Sequence, residues 1–297
     1  MKSVILIFFV VIAGLLKRTY HSAELPSPDP VFVSCTECPK DIRGFLAIPA
    51  DADCDMIKWK LQLLDNGNYV INTEWGYHIN NRTWEKRGEL LDSRGTWKVS
   101  RSNPGFTKSE IYVLATNDRP GESLPLLKLN DNMFQIMTKD KRMLPGGEGF
   151  TNMLNRTHPV ADKSIDFTLA DTDVKMKDMT LSGRTPLAPF EKELAITDKD
   201  REKIKWKIDF HADGTLDARR ILEKAADCKG RWTMVKGWSD NPDAVVYKLE
   251  LDAANQPTLY LLKGSDDVYF FLSKDGGLVN GNHLFGSALI RRPPSGR

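Results

Sequence analysis

The sequence predicts an all-β protein made of two tandem antiparallel meanders, each closing into a small barrel. Three observations carry that expectation. The chain repeats itself: Ile57-Lys58-Trp59-Lys60-Leu61 returns as Ile204-Lys205-Trp206-Lys207-Ile208, and Gly95-Thr96-Trp97 returns as Gly230-Arg231-Trp232. Apolar residues alternate with period two rather than with a helical period. Turn residues recur at short, regular intervals between the apolar runs.

The repeat is domain-sized. From Gly95 and Gly230 the copies align without a gap to Arg156 and Arg291, so that Tyr112 meets Tyr247, Leu126-Leu127-Lys128 meets Leu261-Leu262-Lys263, and Phe150 meets Phe285. Solenoid units run only to about 20–50 residues. The 297 residues suffice for two ordinary domains. Their expected extents are 31–157 and 175–297, with 158–174 as a linker.

The strands follow in order. Trp59, Leu61 and Leu63 share one parity against Lys58, Lys60 and Gln62, and Trp206, Ile208 and Phe210 do the same, as expected for strands with one wet face. Asp65-Asn66-Gly67 and Ala212-Asp213-Gly214 read as hairpin turns whose glycines take positive φ. Tyr69-Val70-Ile71 is the return strand. Trp97-Lys98-Val99 and Trp232-Thr233-Met234 begin the next pair, then Ile111–Leu114 with Val246–Leu251, Leu124–Leu129 with Leu259–Leu262, and Met133–Met137 with Val268–Leu272. Met153-Leu154 and Ala288-Leu289-Ile290 end the copies. Six to eight strands per copy favour closure, which removes exposed edges. Arg219–Ala226 is the best helical stretch. Pro39–Phe45 does not read as a helix.

Charge narrows the function classes. The chain has 42 basic and 40 acidic residues, well mixed, for a net charge of +2. That gives no concentrated basic face and no case for nucleic acid. Val4–Leu16 is an unbroken apolar run behind Lys2. As a helix it would span about 20 Å, short of the roughly 30 Å hydrocarbon core. It reads as the core of a signal peptide over 1–23, with an uncleaved anchor as the alternative. Residues 24–30 then form a linker. Export to the periplasm or cell envelope follows, with membrane association only through this N-terminal segment.

Four cysteines remain. Cys35 and Cys38 form a lone Cys-x-x-Cys without a second pair to complete a structural zinc site. In an oxidising compartment they suit a local disulfide or a clip to Cys54. Cys228 reads as an unpaired, partly buried thiol. Asp51, Asp53 and Asp55 alternate before a strand and are candidates for a hard cation or, in a hydrolase, for converging carboxylates; a solvated loop is the plainer reading. Met133, Met137, Met143, Met176 and Met179 read as core packing.

Trp59, Trp97, Trp206 and Trp232 recur at matched positions, as barrel-core residues would. Trp75, Tyr77 and Trp84 do not recur. They fall where copy one is longer: Gly67 to Gly95 spans 28 positions, and Gly214 to Gly230 spans 16. Unrepeated aromatics at a loop or barrel mouth are candidates for a ligand or partner surface. No Gly-x-Ser-x-Gly, His-Glu-x-x-His or phosphate-cradling loop occurs, so neither catalysis nor a cofactor is expected.

Residues 44–71 resemble a known family. Gly44-Phe45-Leu46-Ala47-Ile48-Pro49, then Ala52-Asp53-Cys54, Ile57, Leu61-x-Leu63, Asn66-Gly67-x-Tyr69 and the later Gly95-x-Trp97 are similar to the NlpE-type copper-resistance and envelope-stress lipoproteins. The resemblance implies an envelope protein, a lipocalin-like β-barrel and no catalytic centre. The chain departs from the family pattern in three ways. No cysteine closes the apolar run. Asp51 stands at the first cysteine of the family's C-A-D-C motif. Copy two has no cysteine over Pro186–Lys203. Lipid anchoring and Cys-pair copper binding therefore do not carry over.

Two functions remain from this sequence. The first is a non-enzymatic binding or sensing module with an envelope protein or a small ligand as partner. The second is a small apolar-ligand carrier with a cavity in barrel one, lidded by its extra aromatics.

Overall fold

A computed structural model describes residues 29–80, 83–147, 149–171, 175–191, 194, 196, 201–221, 225–239, 241–252 and 258–293, with the backbone alone at 79–80, 83–87, 89, 221 and 225–226. The apolar run Val4–Leu16 and most of the following linker lie outside these residues. Among the described residues no helix is long and apolar enough to cross a membrane.

The first copy contains β1 (Val31–Glu37), α1 (Lys40–Leu46), β2 (Met56–Leu63), β3 (Asn68–Asn80), β4 (Thr83–Ser100), β5 (Phe106–Lys108), β6 (Ile111–Thr116), β7 (Ser123–Asn130), β8 (Met133–Ile136) and β9 (Met153–Arg156). All but β5 close an antiparallel eight-stranded barrel, with β9 returning to β1. β10 (Thr168–Leu169) follows in the connection and pairs with β5. The second copy is β11 (Met179–Pro186), β12 (Lys203–Phe210), β13 (Thr215–Ile221), β14 (Ala225–Trp238), β15 (Asn241–Leu251), β16 (Leu259–Lys263), β17 (Val268–Leu272) and β18 (Ala288–Arg291). They close a second antiparallel barrel through β11 and β18. The all-β, two-barrel architecture expected from the repeat is therefore the fold.

Each barrel begins with a strand that carries no repeat motif. β1 and β11 differ in sequence but do the same job. Thr36 Oγ1 accepts from Trp59 Nε1 at 2.7 Å, and Thr185 Oγ1 accepts from Trp206 Nε1 at 2.9 Å. A buried indole N–H needs such an acceptor. The repeated Gly-x-Trp also has a steric cause. A Cβ on Gly95 would lie 2.0 Å from the Ala115 carbonyl oxygen, and one on Gly230 would lie 2.3 Å from that of Glu250. Gly67 and Gly214 turn their hairpins at φ +79° and +85°.

Two local readings are corrected. Within Arg219–Ala226 the described residues are strand, not helix: Arg219–Ile221 end β13 and Ala225–Ala226 begin β14, with Ala218 and Arg220 facing inward and Arg219 opposite Asp227. Strand pairing overrides the weak helical pattern. Conversely, Lys40–Leu46 is a helix. It buries Ile42, Phe45 and Leu46 against the first barrel, and Ala47 ends it in the left-handed conformation.

The barrels join through matched surfaces. Ile111, Leu127, Met133, Met137, Met143 and Met153 of the first pack in one buried cluster with Val246, Leu262, Val268, Leu272, Leu278 and Ala288, their counterparts in the second. Phe150 stacks on its own counterpart Phe285 with ring centroids 6.1 Å apart. Asn155 Nδ2 donates to Asn282 O across the junction at 2.9 Å. Three of the methionines read as core packing are therefore buried between the barrels. Met179 is buried inside the second barrel, whereas Met176 is 41% exposed and packs in no core.

Candidate ligand site at the mouth of the first barrel

Inside each barrel the inward residues form a matched set. In the first these include Trp59, Leu61, Ile71, Leu114, Leu126, Ile136 and Leu154, all buried. Near the β2–β3 turn this packing opens into a cavity of about 200 Å³. Phe32 of β1, Leu63 of β2, Trp97 of β4, Tyr112 of β6 and Phe134 of β8 form its apolar wall, and Asp65, Lys128, Asn130, Asp131 and Arg156 its rim. Alternation along each strand turns these side chains inward.

The wall is a connected set of rings. Phe32 meets Phe134 edge to face at 4.8 Å, Phe134 meets Tyr112 edge to face at 5.0 Å, and Tyr112 stacks on Trp97 at 5.1 Å. Trp97 Nε1 donates to the Leu64 carbonyl at 3.2 Å, which fixes the indole across the opening. Burial raises the Tyr112 phenol above its ordinary pKa. On the rim, Lys128 Nζ lies 2.7 Å from Asp131 Oδ1 and 2.9 Å from Asp166 Oδ2. Desolvation works against that ammonium, but the two carboxylates outweigh it and hold its pKa above the ordinary lysine value. The lysine is thus a neutralised strut.

The same end of the second barrel is filled. Leu63 corresponds to Phe210 and Phe134 to Tyr269, so copy two carries more side-chain volume at both positions. Phe210 packs on Trp232 at 5.3 Å, Trp232 stacks on Tyr247 at 5.4 Å, and Tyr247 meets Tyr269 at 5.4 Å. All four rings are buried, while Trp97 and Tyr112 remain half-buried. The frame is otherwise conserved between copies. Trp232 Nε1 donates to His211 O at 2.9 Å, and Lys263 pairs with Asp266 at 2.9 Å.

The residues singled out from sequence lie elsewhere. Trp75 and Tyr77 sit toward the far end of β3, roughly 20 Å along the strand from the cavity. Trp75 is half-buried against the barrel core, with its ring over Gly88, and Tyr77 is 39% exposed. The Trp84 backbone pairs with His78, and its side chain lies outside the described residues. Trp75 and Tyr77 therefore do not lid the cavity. The first barrel does hold a cavity, at its opposite end.

Of the two cysteine pairings left open, the clip to Cys54 is formed. Cys38 and Cys54 make a disulfide across a separation of 16 residues. Cys35 is a free thiol on β1, buried at the junction of the barrels, and burial pushes it up to about 12. Cys228 is free and half-buried, with its pKa also raised by burial.

The three aspartates do not converge. Asp51 and Asp53 are exposed, and Asp55 turns to His78, Oδ2 to Nδ1 at 2.9 Å. Arg43 sits at the centre of their loop and donates to the carbonyls of Cys38, Ala50, Ala52 and Cys54 at 3.0–3.3 Å. Those carbonyls, which a cation would need, already hold a guanidinium. Among the described residues no group of three or more His, Cys, Asp or Glu is placed to hold a metal ion.

Fold and site together define a tandem β-barrel protein with a ligand-sized cavity at the mouth of its first barrel. No family model matches the chain, and no curated protein matches it. Among solved structures, that of the Cpx pathway activator NlpE from Escherichia coli matches over 80% of this chain and 96% of its own, at 15% identity and a TM-score of 0.24. A similarity that slight carries no argument about fold or function. The barrels rest on their own strand pairing.

The site residues missed from sequence are Phe32, Leu63, Tyr112, Asn130 and Phe134. Their signal lay in the differences between copies. Aligned Leu/Phe and Phe/Tyr pairs mark where one barrel carries less volume than the other.

Proposed function

We propose that this chain is an exported, non-enzymatic binding protein whose first barrel takes one small, largely apolar ligand at its mouth. The observation that carries the reading is the aromatic-walled cavity of about 200 Å³ in the first barrel, at a position the second barrel fills with Phe210 and Tyr269. A cavity of about 150 Å³ lined by apolar side chains is already enough to take benzene. The Lys128 ammonium on the rim is held by Asp131 and Asp166, an arrangement suited to holding a ligand rather than to moving protons. Export rests on the apolar run Val4–Leu16 and on the family resemblance of residues 44–71.

The test is a titration with toluene followed by NMR of the indole N–H groups and by thermal melting. Binding should shift the Trp97 signal, leave Trp232 unmoved and raise the melting temperature. Leu63→Phe should abolish it. Toluene binding that survives Leu63→Phe, or no binding at all, would remove the reading.

A further inference from the structure

One polar atom at the mouth, Asn130 Nδ2, makes no hydrogen bond within the fold. Asn130 ends β7, lines the cavity and is fully buried. Its Oδ1 accepts from the Asn132 backbone N–H at 2.9 Å. That bond fixes the orientation of the amide, because only the oxygen can face a backbone donor. Nδ2 is then left buried with no hydrogen-bond partner. A buried donor without an acceptor is a standing cost to the empty protein, and buried polar groups are rarely left so.

The second barrel lacks this donor. Asn130 corresponds to Ser265, whose Oγ accepts from the backbone N–H groups of Asp267 and Val268, each at 3.1 Å. The turn therefore needs only an acceptor at this position. The extra amide arm belongs to the barrel that has the cavity. On the rim, Lys128 pairs with Asp131 and Asp166, and Arg156 Nη1 donates to the Asp131 carbonyl at 3.4 Å. Two cations, Lys128 and Arg156, balance two carboxylates, Asp65 and Asp131, so the rim favours neither a cation nor an anion.

Resting on the reading of the mouth as a ligand site, we infer that its ligand is a small neutral molecule carrying an oxygen acceptor, a carbonyl or an ether, which Asn130 Nδ2 receives while the aromatic wall holds the apolar body. Such a ligand has about nine heavy atoms, in keeping with a cavity slightly larger than one that holds benzene. Asn130 thus selects among molecules of one shape by whether they bring an acceptor.

The experiment compares acetophenone with α-methylstyrene, in which the carbonyl is replaced by a methylene of the same shape, on the full chain by calorimetry and NMR. Asn130→Asp keeps the Oδ1 acceptor for Asn132 and removes the donor. The expected result is that N130D weakens acetophenone about tenfold and changes α-methylstyrene by less than twofold, since an acceptor then faces an acceptor. In the wild type, the Asn130 side-chain amide protons should move downfield with acetophenone and not with α-methylstyrene, a reading that does not depend on the variant folding. If both molecules bind and neither the variant nor the amide signal tells them apart, the donor inference is wrong and the cavity reading stands. If neither binds, or binding survives Leu63→Phe, both are overturned.

Discussion

The two barrel mouths share a frame and differ in filling. In both, a tryptophan closes the β-hairpin end by donating to a turn carbonyl, a tyrosine stacks on it, and a lysine pairs with an aspartate three residues on. The second barrel adds Phe210 and Tyr269 and becomes a packed interior. The first keeps Leu63 and Phe134 and holds a cavity. An eight-stranded barrel is just wide enough for either outcome. Two side chains, not a change of fold, decide which copy is open.

The largest expected effect breaks the packed mouth. Trp232→Ala should cost about 3–5 kcal/mol, because the ring is buried against two others, Phe210 and Tyr247. Trp97→Ala, half-buried beside an existing cavity, should cost about 2 kcal/mol, below that range. Urea unfolding of both variants measures the difference, and equal losses would deny that the mouths are packed differently.

The staple of the first barrel comes next. Reduction of Cys38–Cys54, or the double change to alanine, should lower stability by about 3 kcal/mol, as for a loop of this size, with amide exchange rising in α1 and β2 ahead of the second barrel. Exchange rising equally in β12 would show the junction, not the disulfide, to be limiting.

Swapping the filling sharpens the comparison. Phe210→Leu should cost about 1–3 kcal/mol and create a toluene site in the second barrel, while Leu63→Phe should stay within about 1.5 kcal/mol of wild type and close the first. Crystals of each variant under xenon would report the exchange of cavities directly.

Alkaline pH should distinguish the barrels again. Burial pushes the Tyr247 phenol up to about 12 and Tyr269 higher still. A phenol with a raised folded pKa holds its proton when the unfolded chain has lost it. Stability is therefore flat below about pH 10 and falls as pH climbs from there toward 12. The loss should be on the order of 2 kcal/mol, and Tyr269→Phe should flatten the slope. Thermal melts between pH 9 and 12 measure it.

The smallest expected effect concerns copper(I). With Cys54 bonded to Cys38, the sulfur at the family's cysteine position is not a thiolate, and Asp51 offers a hard carboxylate to a soft ion. The oxidised, unfolded protein should titrate two thiols, from Cys35 and Cys228, and Cys54→Ser should leave copper(I) competition against a chromophoric chelator unchanged. Sub-nanomolar binding lost in that variant would contradict this.

By itself the sequence determined the number of barrels, the order of the repeated strands and most of the core. Repeats and alternation are local and periodic, so Trp59, Trp206, Gly95 and Gly230 show their roles in the linear pattern. It left β1 and β11 unread, because one threonine each, Thr36 and Thr185, is all that their tryptophans require of them. It also drew attention to Trp75, Tyr77 and Trp84, since an insertion is conspicuous in an alignment of copies. Only the tertiary structure decided where the cavity lies and which aspartates stay apart. A cavity is a deficit of volume summed over β1, β2, β4, β6 and β8, and no single strand carries it. Leu63 and Phe134 are ordinary core residues until barrel closure sets them beside Asn130, whose second hydrogen bond the fold leaves unmade.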